Sequence, residues 1–200
     1  MGRGTGSARG LAMRFLLTKL PGVLRIDAEP HGDARGLFTR LYCPEELAGA
    51  GIAGFETWQI SLSRNPTRHT MRGMHFQAAP YEEAKLVRVM RGRVYEVVID
   101  LRRDSPRCGD WIAMELDAEA MNAVFVPEGC AHGYLTLQPE TDVMYQISPL
   151  HVPGKARGVR WNDSAFAVRW PAEPVLMDAR DACWPDWIAP RTAAWLTADL

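Results

Sequence analysis

KLVRVMRGRVYEVVID, residues 85–100, is the stretch that indicates the fold class of this chain. Two runs rich in β-branched residues flank Arg91-Gly92, which predicts two strands joined by a tight turn with Gly92 at positive φ. Later segments repeat the alternation of apolar and polar residues: WIAMEL (111–116), NAVFVP (122–127), HGYLTL (132–137) and DVMYQI (142–147). Short strands that start about ten residues apart are typical of an antiparallel sandwich or barrel, so the sequence predicts an all-β fold.

Helix is scarce in this sequence. PEELAGAG (44–51) is one candidate, with a proline in its first turn and a glycine at its end. A chain of 200 residues suits one domain with a sizeable core, and we expect residues 13–200 to form it. Residues 1–12, rich in Gly and Arg, are expected to be a disordered extension. The Trp- and Pro-rich tail from Ala182 is expected to wrap the sandwich or to meet a partner subunit.

The composition excludes several classes of protein. Hydrophobic residues make up 47% and charged residues 24%, and the net charge is −1, which gives a nucleic-acid partner no electrostatic support. No apolar run of about 18 residues predicts a membrane span, and no signal peptide is recognisable, so we expect a cytoplasmic protein. The four cysteines form no CxxC pair, which argues against a disulfide framework or a zinc finger.

Two histidine-containing motifs raise the question of a metal. PEGCAH (127–132) fits P-x-G-x-x-H, a turn that directs a histidine into the barrel mouth in cupin-type proteins. The metal-binding form also has an H-x-H pair on an earlier strand, where this chain reads His75-Phe76-Gln77. Two histidines alone seldom hold a metal, although Glu82 or Glu83 could supply a carboxylate. The motifs therefore leave a metal site open as an alternative.

A different set of residues fits proton transfer next to a carbonyl group. His75 could act as a base, Arg72 or Lys85 could stabilise an enolate oxygen, and Tyr145 could return a proton from the other face. Each residue also has a structural interpretation. A strand histidine bonded to a neighbour, two surface cations and a core tyrosine would give the same pattern.

Five segments carry a resemblance to a known family: RGMHFQ (72–77), AKLVRVMRGRVYEVVIDLRRDSP (84–106), VPEGCAHGY (126–134), MYQIS (144–148) and RGVRWND (157–163). In this order the chain resembles the dTDP-4-dehydrorhamnose 3,5-epimerase family over about residues 20–187. The resemblance implies a cupin-type jelly roll, a homodimer, and neither metal nor cofactor. It also implies that the chain epimerises a dTDP-4-keto-6-deoxysugar at C3, at C5 or at both carbons.

The resemblance further implies a role for individual residues. His75 would be the base with Asp163 as its partner, Tyr145 the acid, and Lys85 the group that stabilises the enolate. Seven residues would bind the substrate: Arg72, Arg35, Phe38, Gln59, His132, Asp100 and His151. Arg35 and Phe38, in DARGLFTR (33–40), could hold the nucleotide across a dimer.

The chain departs from the family pattern around the substrate. The family usually has the pattern Gln-x-Asn at residues 59–61, and here Ser61 replaces the asparagine. Leu150 and His151 replace an aromatic pair, of which a tyrosine stacks on the nucleotide base. His151 can still stack, though more weakly. These changes suggest a related sugar nucleotide or epimerisation at one carbon. A metal-dependent cupin enzyme and a non-catalytic sugar-nucleotide binding protein are the alternatives.

Overall fold

The computed structural model describes residues 12–188. The predicted extension over residues 1–12 lies, except for Ala12, outside the described residues, and so does the tail from residue 189. In the described range two short helices accompany thirteen strands, so the prediction of an all-β fold is confirmed. The first helix, α1 (Pro44–Gly49), begins at the proline that marked it in the sequence, and the second is α2 (Ala179–Ala182).

Two antiparallel sheets form the sandwich of the jelly roll. The larger sheet has the order β1-β2-β10-β7-β12-β5, and its strands are β1 (Met13–Leu17), β2 (Leu24–Ala28), β10 (Asn122–Val126), β7 (Ala84–Arg91), β12 (Thr141–Ser148) and β5 (Gln59–Asn65). The smaller sheet has the order β13-β6-β11-β8-β9, and its strands are β13 (Ala156–Gly158), β6 (Met71–Gln77), β11 (Cys130–Thr136), β8 (Arg93–Asp100) and β9 (Trp111–Asp117). A separate pair, β3 (His31–Asp33) and β4 (Gly36–Phe38), forms a hairpin.

The turn at Arg91-Gly92 has the predicted positive φ, 79° at Gly92. The turn joins two strands as predicted but does not close a hairpin, because β7 pairs with β10 and β12 whereas β8 pairs with β11 and β9. The turn instead carries the chain from one sheet to the other. Val87 of β7 and Val98 of β8 both face the core between the sheets, which a hairpin within one sheet would not require.

Apolar side chains fill three layers. The central cluster lies between the two sheets and joins Val124 of β10 to Tyr134 of β11. A second cluster, including Leu47 of α1, covers the outer face of the larger sheet. A third cluster covers the outer face of the smaller sheet, where the ring centroid of Trp187 lies 5.0 Å from the ring centroid of Phe166. The described part of the tail therefore wraps the sandwich, which is the first of the two arrangements expected for it.

Two further findings concern membrane spans and cysteines. Within residues 12–188 none of the helices has the length and apolar character that crossing a membrane requires. All four cysteines lie in the described range and are unpaired, in agreement with the sequence: Cys43, Cys108, Cys130 and Cys183.

Candidate active site

A cavity of 340 Å³ opens between the two sheets. Most of the residues predicted to form the site line it: Gln59, Arg72, His75, Lys85, His132, Tyr145 and His151. Tyr134 and Arg180, which the sequence did not indicate, line it as well, and so does Glu83, which the sequence offered only as a ligand of the alternative metal site. Histidines, cations and phenols thus meet in one cavity, because the alternation of side chains along each strand directs these groups inward.

The close approach of β6 and β11 places two histidines side by side. His75 and His132 are register partners on these strands. Gly73 has a φ of 132°, and a Cβ there would lie 2.5 Å from the Cα of Gly133. The glycine of R-G-M-H is therefore required for the strands to approach this closely, and any larger side chain would displace β6.

His75 is held by a carboxylate from α2, the last helix of the described residues. Its Nε2 lies 2.6 Å from Oδ1 of the buried Asp181, and Oδ2 of Asp181 accepts a hydrogen bond from the Gly73 amide. Burial raises the pKa of Asp181, but the bond to His75, the amide and the charge of Arg180 outweigh burial and leave that pKa below its ordinary value. An ionised carboxylate only accepts hydrogen bonds, so Nε2 of His75 carries the proton and Nδ1 is free to take one.

The predicted pairing of Asp163 with His75 is wrong. Asp163 is buried elsewhere, where its Oδ2 accepts from the Trp187 amide at 2.7 Å and its Oδ1 from the Ala165 amide at 2.9 Å. It stabilises the turn that follows it and ties the C-terminal segment to the sheet. Asp181 was missed because a helix of four residues carries no periodicity that places it beside β6.

His132 has a carboxylate partner of its own, Glu96 of β8, whose Oε1 lies 2.7 Å from Nδ1. Both side chains are buried. Burial raises the pKa of Glu96 well above its ordinary value, and burial together with the charges of Lys85 and His75 lowers that of His132 well below its own. The pair therefore favours a neutral carboxyl group beside a neutral imidazole.

Asp100 does not line the cavity as expected. Its carboxylate accepts hydrogen bonds from Arg102 at 2.7 Å and from Ser105 at 2.6 Å, in the turn after β8. Asp100 lies four residues beyond Glu96 on the same face of the strand, about 13 Å along it. Glu96 instead contacts His132, which lines the cavity. The sequence signal for it was an acid between the inward-facing Val94 and Val98.

Tyr145 enters the cavity from the opposite sheet, on β12. Its ring centroid lies 6.1 Å from that of His132. Burial, followed by the neighbouring Tyr134 and Glu96, raises the pKa of Tyr145 well above its ordinary value. The phenol therefore stays protonated at neutral pH and can serve as a proton donor.

The cations in the cavity are fixed by polar neighbours. Nε of Arg72 donates to Oδ1 of Asn65 at 2.8 Å. Nζ of Lys85 lies 2.8 Å from Oε1 of Glu83. Such contacts hold the positive groups in place for an anionic ligand.

Known proteins resemble this chain in sequence and in fold. The sequence model of dTDP-4-dehydrorhamnose 3,5-epimerase matches residues 17–188. The chain belongs to this family. It is 32% identical to the dTDP-4-dehydrorhamnose 3,5-epimerase of Shigella flexneri, over 84% of this chain and 93% of that one. It is 34% identical to the dTDP-4-dehydrorhamnose 3-epimerase of Streptomyces niveus, over 84% and 81%.

A solved structure of the family superimposes on most of this chain. It is the dTDP-4-dehydrorhamnose 3,5-epimerase of Bacillus anthracis with TDP and PPi bound, with a TM-score of 0.85 and 34% identity. The match covers 88% of this chain and 100% of that one. The likeness therefore extends over the whole jelly roll and confirms the predicted cupin-type fold.

Two predicted nucleotide-binding residues of this family member lie away from the cavity. Arg35 and Phe38 belong to the β3–β4 hairpin, where they border a separate hollow. Arg35 is paired with Asp33 at 2.5 Å, and Phe38 is 69% exposed. Within one chain the structure does not bring them to His75.

The side chains that the metal alternative requires are bonded to other groups. His75 contacts Asp181, His132 contacts Glu96, and Glu83 contacts Lys85. Among residues 12–188 no three His, Cys, Asp or Glu side chains converge in a way that could hold a metal ion.

Proposed function

We propose that this isomerase epimerises a dTDP-4-keto-6-deoxysugar without a cofactor, converting dTDP-4-dehydro-6-deoxyglucose to dTDP-4-dehydro-L-rhamnose at C3, at C5 or at both carbons. One observation carries the proposal: His75 and Tyr145 reach a single cavity from opposite sheets. Inversion of a carbon centre needs a base on one face and an acid on the other, and this arrangement supplies both.

The proton transfer follows from the hydrogen bonds. Nδ1 of His75 takes the proton from the carbon next to the C4 ketone, and Asp181 stabilises the imidazolium that forms. The electron pair of the broken C–H bond forms a double bond to C4, and the π electron pair of the C4 ketone moves onto its oxygen, which makes an enolate. The Lys85 ammonium group stabilises that oxygen. Tyr145 then donates its proton to the opposite face of the same carbon, and solvent restores both groups.

The substrate class is supported by the cations of the cavity. Arg72 and Arg180 both line it, and guanidinium groups bind diphosphate through paired N–H donors. Relatives named for dTDP-sugars agree with a nucleoside diphosphate as the ligand. Gln59, whose amide donates to Ser61 at 2.9 Å, and His132 would contact the sugar.

We propose a homodimer because β5 lies at the edge of the larger sheet and no strand within residues 12–188 pairs with its outer side. Trp58, Ile60 and Leu62 are exposed along this edge, which a second chain would cover. The exposed β3–β4 hairpin could then bring Arg35 and Phe38 to the partner's cavity. A sedimentation mass close to that of one chain, 22.4 kDa, would contradict the dimer.

Solvent deuterium incorporation tests the activity. The protein is incubated with dTDP-4-dehydro-6-deoxyglucose in deuterated water, and the label is located by NMR. Label at C3 and C5 supports a 3,5-epimerase, whereas label at one carbon supports the narrower activity for which the Streptomyces niveus relative is named. No label on this substrate would overturn the proposal as stated.

A further inference from the structure

Glu83 is a buried carboxylate in the cavity that the proton transfer does not use. It precedes β7 directly and lies two residues before Lys85, so both side chains extend from the same face of the chain. Its Oε1 is 2.8 Å from Nζ of Lys85, and its Oε2 is 3.0 Å from Nδ1 of His151. The amide of Gln77 donates to the same Oε2. A single carboxylate thus connects three elements of the cavity wall.

The orientation of these groups can be assigned from their partners. The Val152 amide donates to Oε1 of Gln77 at 3.3 Å, so Nε2 of Gln77 faces Glu83. Burial raises the pKa of Glu83, but the charge of Lys85 and the hydrogen bonds from Lys85, His151 and Gln77 outweigh burial and lower it. Glu83 is therefore ionised, and Nδ1 of His151 must carry the proton that it donates.

We propose that Glu83 is a positioning residue for Lys85, and that His151 holds Glu83 in place by donating to the same carboxylate. This inference rests on the proposed function, in which the Lys85 ammonium group meets the enolate oxygen. A lysine side chain has four rotatable bonds, and an oxyanion is stabilised only by a donor that is already in position. The ion pair fixes Nζ and leaves its other two N–H groups for the substrate.

The same contacts give His151 a role other than base stacking. Its ring is anchored at Nδ1, beside Glu83 and Gln77. His151 thus adds a donor to the network around Lys85. We therefore expect changes at His151 to alter turnover through Lys85 more than they alter nucleotide affinity.

The first test is Glu83→Gln, which keeps the size of the side chain and removes its charge. We expect kcat to fall about tenfold or more while KM changes by less than about threefold, because the loss concerns an interaction made in the transition state. Glu82→Gln makes the same chemical change one residue earlier and is the matched control. Thermal melting of both variants separates a loss of folded protein from a loss of turnover.

The second test uses His151 and does not depend on whether the Glu83 variant folds. His151→Leu removes the donor to Glu83, and we expect kcat to fall about threefold to tenfold. His151→Asn places an amide N–H near the position of Nδ1 and should restore most of that loss. Rescue by asparagine is a readout that a merely structural role, or base stacking, would not produce.

The outcomes separate this inference from the proposed function. Wild-type protein and Glu82→Gln that neither exchange nor epimerise the substrate would overturn the function itself. Active wild-type protein with unchanged kcat in Glu83→Gln would overturn the positioning role alone. A higher KM with unchanged kcat in both His151 variants would overturn the role of His151 in holding Glu83 and would assign His151 to nucleotide binding.

Discussion

The cavity contains two histidine–carboxylate pairs that look alike by distance and differ in chemistry. His75 lies 2.6 Å from Asp181, and His132 lies 2.7 Å from Glu96. In the first pair the pKa of the carboxyl group is lowered, and in the second it is raised well above its ordinary value. A short contact between the two residue types therefore does not by itself identify a base.

The difference arises from what else the carboxylate contacts. Asp181 also accepts from the Gly73 amide and lies near Arg180, both of which favour the charged form. Oε2 of Glu96 has no hydrogen-bond partner among the described residues, and a charge there would be unpaired. His75 is also partly open to the cavity, whereas His132 is buried. The pair with His75 therefore combines an ionised acceptor with the more exposed imidazole of the two.

The largest expected effect is at His75. Replacing it with Asn should lower deuterium exchange and net epimerisation by about 10³-fold, the scale at which a general base contributes. His132→Asn, at the register partner, should have a smaller effect on exchange, with KM changed more than kcat. Melting temperatures show whether both variants are folded. A His75→Asn enzyme that keeps a tenth of its turnover, with exchange lost in His132→Asn, would reverse the assignment.

The next largest effect is expected at Asp181, and it distinguishes the role of Asp181 from that of Asp163. Asp181→Asn should reduce kcat by about 10²-fold, because an amide no longer fixes the tautomer of His75 or stabilises its charged form. Asp163→Asn should keep kcat and lower the melting temperature, since its carboxylate binds backbone amides. Kinetics and melting curves of both variants decide the question. Turnover lost only in Asp163→Asn would restore the pairing that the sequence suggested.

These two aspartates show what sequence could predict and what it could not. The grouping of His75, Lys85 and Tyr145 came from their chemistry and from the family resemblance, and the structure has all three lining one cavity, because strand alternation directs each of them inward. The partner of His75 lies 106 residues later on a helix of four residues, and no local pattern reports such a contact. The sequence also could not tell whether the turn at Gly92 joins strands of one sheet or of two, because the alternation is the same in both.

A smaller and more specific effect is expected at Tyr145, beside the buried pair. Tyr145→Phe removes the proposed acid but leaves His75 and Asp181 intact. Net inversion should therefore fall at least tenfold more than exchange of the substrate hydrogen with solvent, because His75 can still remove a proton and return it to the same face. Comparing product formation with label washed into recovered substrate measures this ratio. Equal losses of both would assign Tyr145 to substrate binding.

The smallest effect concerns stability and tests the neutral state of the Glu96–His132 pair. In the unfolded chain these groups titrate near their ordinary values of 4.5 and 6.5. The raised pKa of Glu96 and the lowered pKa of His132 mean that the folded pair keeps one proton over this range. Between these values the unfolded chain binds one proton as well, so the contribution of the pair does not change with pH.

Above pH 6.5 the unfolded His132 releases its proton, while the folded pair retains one up to the raised pKa of Glu96. The folded state then binds more protons, so its stability must fall as the pH rises, by at most about 1.4 kcal/mol per pH unit. In Glu96→Gln this proton is absent from both states above pH 6.5. The difference in unfolding free energy between wild-type protein and the variant should therefore decrease from pH 6.5 to 8.5 in urea denaturation. A difference that stayed constant would mean that Glu96 is ionised in the folded state, and the two pairs of the cavity would then be alike.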